Sequence, residues 1–428
     1  MLKEPAKEHL QKAYDAAKAR YGELGVDTDA VLDRLADVSV SVHCWQGDDV
    51  TGFEEPEEGA DSGGIMATGN YPGPARNGDE LRADLAKAFS LIPGTLRCNL
   101  HAIYAEPEGG RAERDKLEPE HFRKWMDWGK ANGVSLDFNP TYFGHPMANT
   151  GYTLASADEE VRQFWIRHGI ACRKVAEAMG RAQGNPCVIN HWVPDGAKDH
   201  PVDRWSPRRR LATSLDTIIE ADADTRYCKD AVESKLFGIG SEHYVVGSHE
   251  FYMGYALTRK PLICLDMGHF HPTETIDDKL SAMLTYNDEV LLHVSRGVRW
   301  DSDHVVIFND DVRNVFHELV RGDALDRTNI ALDFFDASIN RIGAWVTGTR
   351  ATKKALLYAL LEPTERLLDM QNKGDLGGKL ALLEELKSMP FGAVWDQFCV
   401  AQDTPVGPAW LEEMYAYDEQ VIQPRAAS

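Results

Sequence analysis

The fold of this chain is decided by four short apolar runs between residues 231 and 335: Ala231-Val-Glu-Ser-Lys235, Leu262-Ile-Cys-Leu-Asp266, Val290-Leu-Leu-His293-Val294 and Ile330-Ala-Leu-Asp333-Phe-Phe335. Each run has the length and composition of a buried strand. Each also carries an acid or an imidazole near its C-terminal end, where burial of a charge is costly unless the charge is paired or binds a metal. Because the pattern repeats in four runs, it indicates a divalent metal site that neutralises several carboxylates at once.

Four further apolar runs precede these, at residues 38–45, 97–104, 134–138 and 187–192. Helical patterns separate the runs, and this alternation favours parallel strands with crossover helices. Eight such units predict an α/β fold of the (β/α)8 TIM-barrel type, whose chemistry lies at the C-terminal ends of the strands. The alternative is a doubly wound open sheet. Against it, no run is followed by a P-loop or a GxGxxG motif, and Gly238-Ile-Gly240 lacks the third glycine.

The sequence also predicts which segments lie outside the eight strand–helix units. Residues 6–25 predict an N-terminal helix, and residues 46–78 form a Gly- and Pro-rich loop too long for a passive connection. We expect this loop to cover a site, in its own or a neighbouring subunit. The predicted domains are residues 1–347, the catalytic barrel with its N-terminal helix, and residues 348–428, a helical extension suited to oligomerisation.

Composition excludes several classes of function. The chain has 46 basic and 68 acidic residues and a formal charge of -22, which argues against nucleic acid or anionic membrane as a partner. Its seven cysteines are scattered and form no CxxC pair, as expected of reduced, buried thiols in a cytosolic protein. The N-terminus resembles no signal peptide, and no apolar run is long enough to span a bilayer. We therefore predict a cytoplasmic protein.

Two short motifs add candidate metal ligands. Asp266-Met-Gly-His269 places an acid and an imidazole at one strand end, and Asp301-Ser-Asp303 places two acids on one side of an extended segment. Taken singly, each has an ordinary explanation, such as a helix cap or an ion pair inside the barrel. Taken together with the four strand-end residues, they offer hard oxygen ligands and a few imidazoles, which suit Mn2+ or Mg2+, with Co2+ as a substitute.

Other strand ends carry groups that suit a neutral substrate. Lys235 shares a face with Glu233 and is either a counter-ion or a group that polarises a substrate oxygen. Aromatic and imidazole rings end the strands of the other half of the barrel, and such rings suit a sugar, although core packing explains each one equally well. They are Trp45, His101, Phe138 and Trp192.

Longer segments carry a resemblance to a known family. They include Val42-His-Cys-Trp-Gln-Gly-Asp-Asp-Val50, Gly64-Ile-Met-Ala-Thr-Gly-Asn-Tyr-Pro-Gly73, Asp230-Ala-Val-Glu-Ser-Lys-Leu-Phe-Gly-Ile-Gly240, Asp266-Met-Gly-His-Phe-His-Pro-Thr-Glu274 and Leu332-Asp-Phe-Phe-Asp-Ala-Ser-Ile-Asn-Arg341. In these segments the chain resembles the L-rhamnose isomerases, over nearly its whole length.

The resemblance implies a barrel related to xylose isomerase, a cytoplasmic homotetramer, and a metal-dependent conversion of L-rhamnose to L-rhamnulose in rhamnose catabolism. It also implies two Mn2+ sites per subunit, for which Co2+, Mg2+ or Zn2+ are possible substitutes. One metal would be held by Glu233, Asp266, His293 and Asp333. The second would be held by His269, Asp301 and Asp303, with Asp266 as a bridge.

Roles toward the substrate follow from the same resemblance. The substrate-binding residues would be Trp45, His101, Phe138, Trp192 and Lys235. Lys235, Asp333 and His101 would be catalytic: Lys235 would stabilise charge on the carbonyl oxygen, Asp333 would lie near the proton that moves between substrate oxygens, and His101 would assist ring opening.

Several alternatives stay open from sequence. Hydrogen can move between carbons as hydride or through an enediol, and the substrate can be another aldose or a ketose that is epimerised. A metallohydrolase or endonuclease would need basic residues for phosphate, which the acidic charge opposes. A purely structural oligomer would be expected to lack ligands, and all seven are present. Because ligand acids must be ionised and ligand histidines neutral, metal binding is expected to weaken at acid pH.

Overall fold

Eight parallel strands close into a barrel in the computed structural model, which describes residues 4–54, 67–237, 240–299 and 303–427. Each strand pairs with its neighbour in the chain, and the first pairs with the eighth. The strands are β1 Val40–His43, β2 Leu96–His101, β3 Ser135–Asn139, β4 Cys187–Trp192, β5 Cys228–Glu233, β6 Leu262–Asp266, β7 Val290–Val294 and β8 Thr328–Leu332. The predicted (β/α)8 barrel is therefore confirmed, and the open sheet is excluded.

The helices surround the barrel and continue beyond it. They are α1 Lys7–Gly22, α2 Thr28–Asp37, α3 Gly78–Phe89, α4 Arg123–Asn132, α5 Glu159–Gln183, α6 Trp205–Ile219, α7 His249–Arg259, α8 Asp277–Leu284, α9 Asp310–Arg321, α10 Arg341–Leu360, α11 Thr364–Asn372, α12 Leu376–Leu386, α13 Phe391–Ala401, α14 Trp410–Tyr417 and α15 Gln423–Ala427. A short antiparallel pair, Gly196–Ala197 with Tyr244–Val245, lies outside the barrel. Within the described residues, no helix is both long and apolar enough to cross a membrane.

Strand ends differ from prediction where the chain turns into the site. The predicted first strand runs to residue 45, but β1 ends at His43 and Cys44–Gln46 forms a single 3-10 turn. The same happens after β2, where Ala102–Tyr104 forms a 3-10 turn. Apolar composition predicts burial in both turns correctly, but it does not distinguish a strand from a tight turn.

Side chains alternate between the inside of the barrel and the helical layer. The inside holds a small apolar cluster of Val188, Ala231, Cys264, Leu291 and Ala331, separate from the main core between strands and helices. Glu233, Asp266 and His293 share the inward face with members of this cluster, because each lies two residues further along its strand. This register brings all three side chains to the C-terminal end of the barrel.

The long loop predicted at residues 46–78 is anchored in both of its described arms. Arg341, at the start of α10, binds Asp49 in the first arm with nitrogen–oxygen distances of 2.6 and 2.9 Å. The same guanidinium donates to the carbonyls of Tyr71 and Pro72 in the second arm. The predicted residues 55–66 lie outside the described part of the chain.

Helix α10 is buried along most of its length and packs on β1, α2, α3 and α9. It runs through residue 347, so the predicted boundary between barrel and extension falls inside a helix. Gly348 in α10 faces Phe334, the residue after Asp333, and a Cβ added at Gly348 would overlap the Phe334 ring. The packing of α10 thus sets the position of the segment that carries Asp333.

This packing predicts the effect of a single methyl group. Gly348→Ala should lower the free energy of unfolding by about 1–3 kcal/mol, because Phe334 is fully buried and has no room to move. The matched control is Gly254→Ala in α7, where an added Cβ meets no atom within 4 Å and should be neutral or slightly stabilising. Denaturant unfolding measures both; equal stability of the two variants would contradict the packing described here.

Candidate metal centre and substrate pocket

The candidate ligands come from consecutive strands and meet at one end of the barrel. Glu233 ends β5, Asp266 ends β6, His293 lies in β7 and Asp333 follows β8 directly. Asp266 and His293 are paired across β6 and β7. The four side chains can offer ligand atoms that all lie within 4.8 Å of one another.

The first ligand group is centred on one imidazole nitrogen. His293 Nδ1 lies 3.0 Å from Glu233 Oε1 and 3.5 Å from both Asp266 Oδ2 and Asp333 Oδ2. Glu233, Asp266 and His293 are almost completely buried. Three carboxylates around one imidazole carry an excess of negative charge that a divalent cation can neutralise.

The second ligand group consists of Asp266, His269 and Asp303, again within 4.8 Å of one another. His269 Nε2 lies 3.7 Å from Asp303 Oδ1. Two backbone hydrogen bonds of 3.2 Å between Arg296 and His304 position the loop that carries Asp303. Asp266 belongs to both groups. Asp301, the remaining predicted ligand, lies outside the described residues.

Each carboxylate of the first group has one oxygen held by the chain and the other turned toward the group. Asn190 Nδ2 donates to Glu233 Oε2 at 2.5 Å, and Trp45 Nε1 donates to Asp333 Oδ1 at 3.1 Å. Asp266 Oδ1 accepts from Ser295 Oγ and from the Gly268 backbone, both at 2.6 Å. Partners of this kind orient metal ligands in known metal sites. Sequence reasoning missed Ser295, although its spacing of two from His293 put it on the same face.

The close approach of these buried groups shifts the pKa values of Asp266 and His293. Burial, together with the Glu233 and Asp333 carboxylates, raises the pKa of Asp266. Burial alone would lower the pKa of His293, but Cys264 and the surrounding carboxylates raise it well above its ordinary value. A divalent cation would therefore compete with the proton that His293 holds.

The donor set fits a hard divalent cation. Asp266 Oδ2 is buried, and no hydrogen bond from the described chain reaches it, so an acceptor oxygen without a donor faces the group. Cys264 Sγ can form a third group with Glu233 and His293, but burial raises the pKa of this thiol, which disfavours a thiolate ligand. All seven cysteines are free and buried, as predicted.

Aromatic rings form a wall beside the ligand groups. The ring centroids of Trp45 and His101 lie 4.6 Å apart, those of His101 and Phe143 lie 5.7 Å apart, and those of Phe143 and Trp192 lie 5.8 Å apart. Lys235 Nζ lies 5.2 Å from the centroid of Trp192. The structure thus brings four of the five predicted substrate-binding side chains, Trp45, His101, Trp192 and Lys235, together at this wall.

Phe138, the fifth, is not part of that wall. Its neighbours Asp137 and Asn139 face the inside of the barrel, where they bond to Ser41 and Asn99. Phe138 therefore faces the helical layer, with its ring centroid 5.1 Å from that of Phe122 and no exposed surface. The predicted contact of Phe138 with a substrate does not fit this position; the phenylalanine in the wall is Phe143, in a loop where strand periodicity gives no signal.

Two polar groups in the wall are suited to a hydroxylated ligand. Burial lowers the pKa of His101 to about 4, so its imidazole is neutral near pH 7, and Nδ1 lies 3.1 Å from Thr141 Oγ1. The indole nitrogen of Trp192 is buried and has no acceptor among the residues the structure describes.

A family model and the sequence relatives agree on one family. A family model described as L-rhamnose isomerase (RhaA) matches residues 8–425. Proteins named L-rhamnose isomerase from Rhodopirellula baltica and Escherichia coli are 59% and 56% identical to this chain, covering 98% and 97% of it and 98% and 99% of their own lengths. One from Listeria monocytogenes is 55% identical, covering 97% of this chain and 99% of its own. A solved D-psicose 3-epimerase from Clostridium cellulolyticum H10 aligns with 12% identity and a TM-score of 0.48, over 75% of this chain and 99% of its own.

The shared carboxylate predicts the stoichiometry of metal binding. After removal of metal by a chelator, calorimetric titration with Mn2+ should show two ions per chain. Asp303→Asn should remove one of them, whereas Asp266→Asn should weaken both, because Asp266 belongs to both groups. Asp278→Asn, an exposed acid on α8, is the control and should leave two ions. Loss of a single ion in Asp266→Asn would exclude a shared ligand.

Proposed function

The chain belongs to the L-rhamnose isomerase family, and on that premise we propose how its own residues interconvert L-rhamnose and L-rhamnulose in rhamnose catabolism. The reaction is an aldose–ketose isomerisation. The observation that carries the assignment of residues is the pair of ligand groups joined at Asp266, which faces an aromatic wall. A neutral sugar is held by aromatic faces and a few polar groups.

Each ligand group is assigned one ion. Glu233, Asp266, His293 and Asp333 would hold the first. His269, Asp303 and Asp266 would hold the second, together with Asp301 as the sequence predicts. Mn2+ is the proposed metal, with Co2+, Mg2+ and Zn2+ as substitutes. When bound, the ions supply Lewis-acid polarisation of the carbonyl and hydroxyl oxygens of the open-chain sugar.

The chain's own groups then act on the protons and charges of the open-chain sugar. Hydrogen leaves C2 and arrives at C1, while the proton of the C2 hydroxyl moves to the oxygen on C1. Asp333 would lie beside that proton as it moves, with its carboxylate held in place by the hydrogen bond from Trp45 to Oδ1. Lys235 would stabilise negative charge on the carbonyl oxygen. We favour a hydride shift between the carbons, and an enediol is the alternative.

His101 is proposed to open the sugar ring. Its neutral imidazole at physiological pH can take the proton of the anomeric hydroxyl. The Trp192 indole N–H would donate to a sugar hydroxyl, and the faces of Trp45 and Phe143 would exclude water from the reacting carbons. Phe143 replaces Phe138 in this assignment.

We also propose the assembly and location that the family resemblance implies: a cytoplasmic homotetramer built with help from residues 348–428. The support is that α11 and α12 expose leucines that a subunit contact could cover. They are Leu368, Leu376 and Leu380. Because α10 crosses residue 347, only the helices after it would form a separable oligomerisation unit.

Metal dependence tests the reaction itself. Chelator-stripped protein should not convert L-rhamnose to ketose, and added Mn2+ should restore turnover, while Asp301→Asn should lose it. Turnover is measured as L-rhamnulose formed. Metal-dependent conversion of another aldose without conversion of L-rhamnose would keep the mechanism and overturn the substrate; no isomerisation of any aldose by metal-loaded protein would overturn the proposal.

Substitutions of Phe143 and Phe138 distinguish a residue that contacts the substrate from one that only packs in the core. Phe143→Ala should raise KM for L-rhamnose about tenfold, the loss expected for one aromatic contact, with Mn2+ affinity unchanged. Phe138→Ala should instead lower the free energy of unfolding by about 3–5 kcal/mol through a core cavity, without an effect of that size on KM. Steady-state kinetics and denaturant unfolding of both variants test this. A raised KM in Phe138→Ala, with a loss of stability in Phe143→Ala, would show that Phe138 is the substrate-binding residue.

A further inference from the structure

The N-terminal half of the barrel encloses a cavity of about 250 Å3 that the reaction does not use. Its floor is lined by residues near the starts of strands, among them Arg97, Lys229 and Thr328, so it lies at the end opposite the metal centre. Its inner end is lined by Asn190, which also contacts Glu233. The cavity therefore extends from the N-terminal mouth to the back of the candidate metal centre.

The walls of this cavity are mixed: Val188, Leu291 and Ala331 of the apolar cluster line part of it, and polar side chains line the rest. Barrel interiors are usually filled by branched apolar side chains. Here Ser41 and Arg97 bind the Asp137 carboxylate at 2.7–2.8 Å, and Asn99 accepts a hydrogen bond from Asn139 at 2.7 Å. A cavity of this size and polarity has room for several water molecules, each of which occupies about 30 Å3 in the liquid.

Asn190 links the cavity to the metal centre. Its side-chain nitrogen donates to Glu233 Oε2 at 2.5 Å, and because an ionised carboxylate only accepts, the amide oxygen must face the other way. Asn190 is 2% exposed, and no donor from the described chain reaches that oxygen. Buried carbonyl oxygens in native proteins are nearly always hydrogen-bonded, by protein or by ordered water.

We propose that this cavity binds ordered water, and that water held on Asn190 Oδ1 fixes the amide that orients Glu233. Asn190 is then a positioning residue for the metal centre, supported from the N-terminal side of the barrel. The positioning role rests on the proposed function, because it requires Glu233 to be a metal ligand. The hydration of the cavity does not depend on the proposed function.

Hydration is tested on the wild-type protein by a high-resolution crystal structure. The expected result is ordered water within about 3.2 Å of Asn190 Oδ1. An empty cavity, or a protein donor on that oxygen, would overturn the proposal. This measurement stands even if every variant at position 190 fails to fold.

Positioning is tested by Asn190→Leu, which keeps the side-chain volume and removes the donor. Mn2+ affinity at one of the two sites should fall 10–100-fold, the range seen when partners of metal ligands are removed. The matched control is Asn329→Leu, which lines the same cavity but bonds to Glu289 and to the carbonyl of Val290. The control should change Mn2+ affinity less than twofold.

Melting of the metal-free protein separates positioning from simple stability. If Asn190→Leu lowers the melting temperature of the metal-free protein but leaves Mn2+ affinity unchanged, Asn190 is structural only and the positioning role is overturned. A smaller Mn2+-induced rise in melting temperature than in wild type supports it. A wild-type protein that binds two Mn2+ ions but converts no L-rhamnose would refute the proposed function and leave this inference intact.

Discussion

Mutual repulsion of buried carboxylates is the constraint on which the rest of this structure depends. Glu233 and Asp266, which are buried, and the half-buried Asp333 converge on one imidazole at the end of a closed barrel, where water screens their charges poorly. The chain answers in two ways. It engages one oxygen of each carboxylate with a donor of its own, and it leaves the other oxygen facing a common centre. The donors come from β4, from the turns after β1 and β6, and from the end of β7, so the barrel must close for the group to be held.

Much of the fold, and the convergence of the candidate ligands, could be predicted because both follow from local rules. An acid near the end of an apolar run is rare enough to be informative, and the period of two places Glu233, Asp266 and His293 on one face. The bounds of β4, β6 and β7 match the predicted runs, because the apolar residues of each run end where the strand ends. Because parallel strands in a barrel have their C-terminal ends at the same face, these residues can be predicted to meet without knowing any long-range contact.

What could not be predicted depends on geometry outside the strands. Phe138 and Phe143 are both aromatic residues near the end of β3, and only the register of Asp137 and Asn139 shows that Phe138 faces outward. Trp45 was expected on a strand but lies in a 3-10 turn, which aims its N–H at Asp333. A serine after an apolar run is too common to suggest a role, so the hydrogen bond from Ser295 to Asp266 is found only in the folded structure. Helix α2, at Thr28–Asp37, was not predicted, although the Asp27 side chain caps its first turn.

The clamp formed by Arg341 has a further consequence. One guanidinium joins the two described arms of the segment between β1 and α3, by an ion pair to Asp49 and by hydrogen bonds to two carbonyls. Ordering a segment of this length costs conformational entropy whenever it occurs. Because the clamp forms within the folded chain, these arms are ordered before any ligand arrives. Binding at this face can then draw on shape that already exists in the two arms, which lowers the entropy cost of binding.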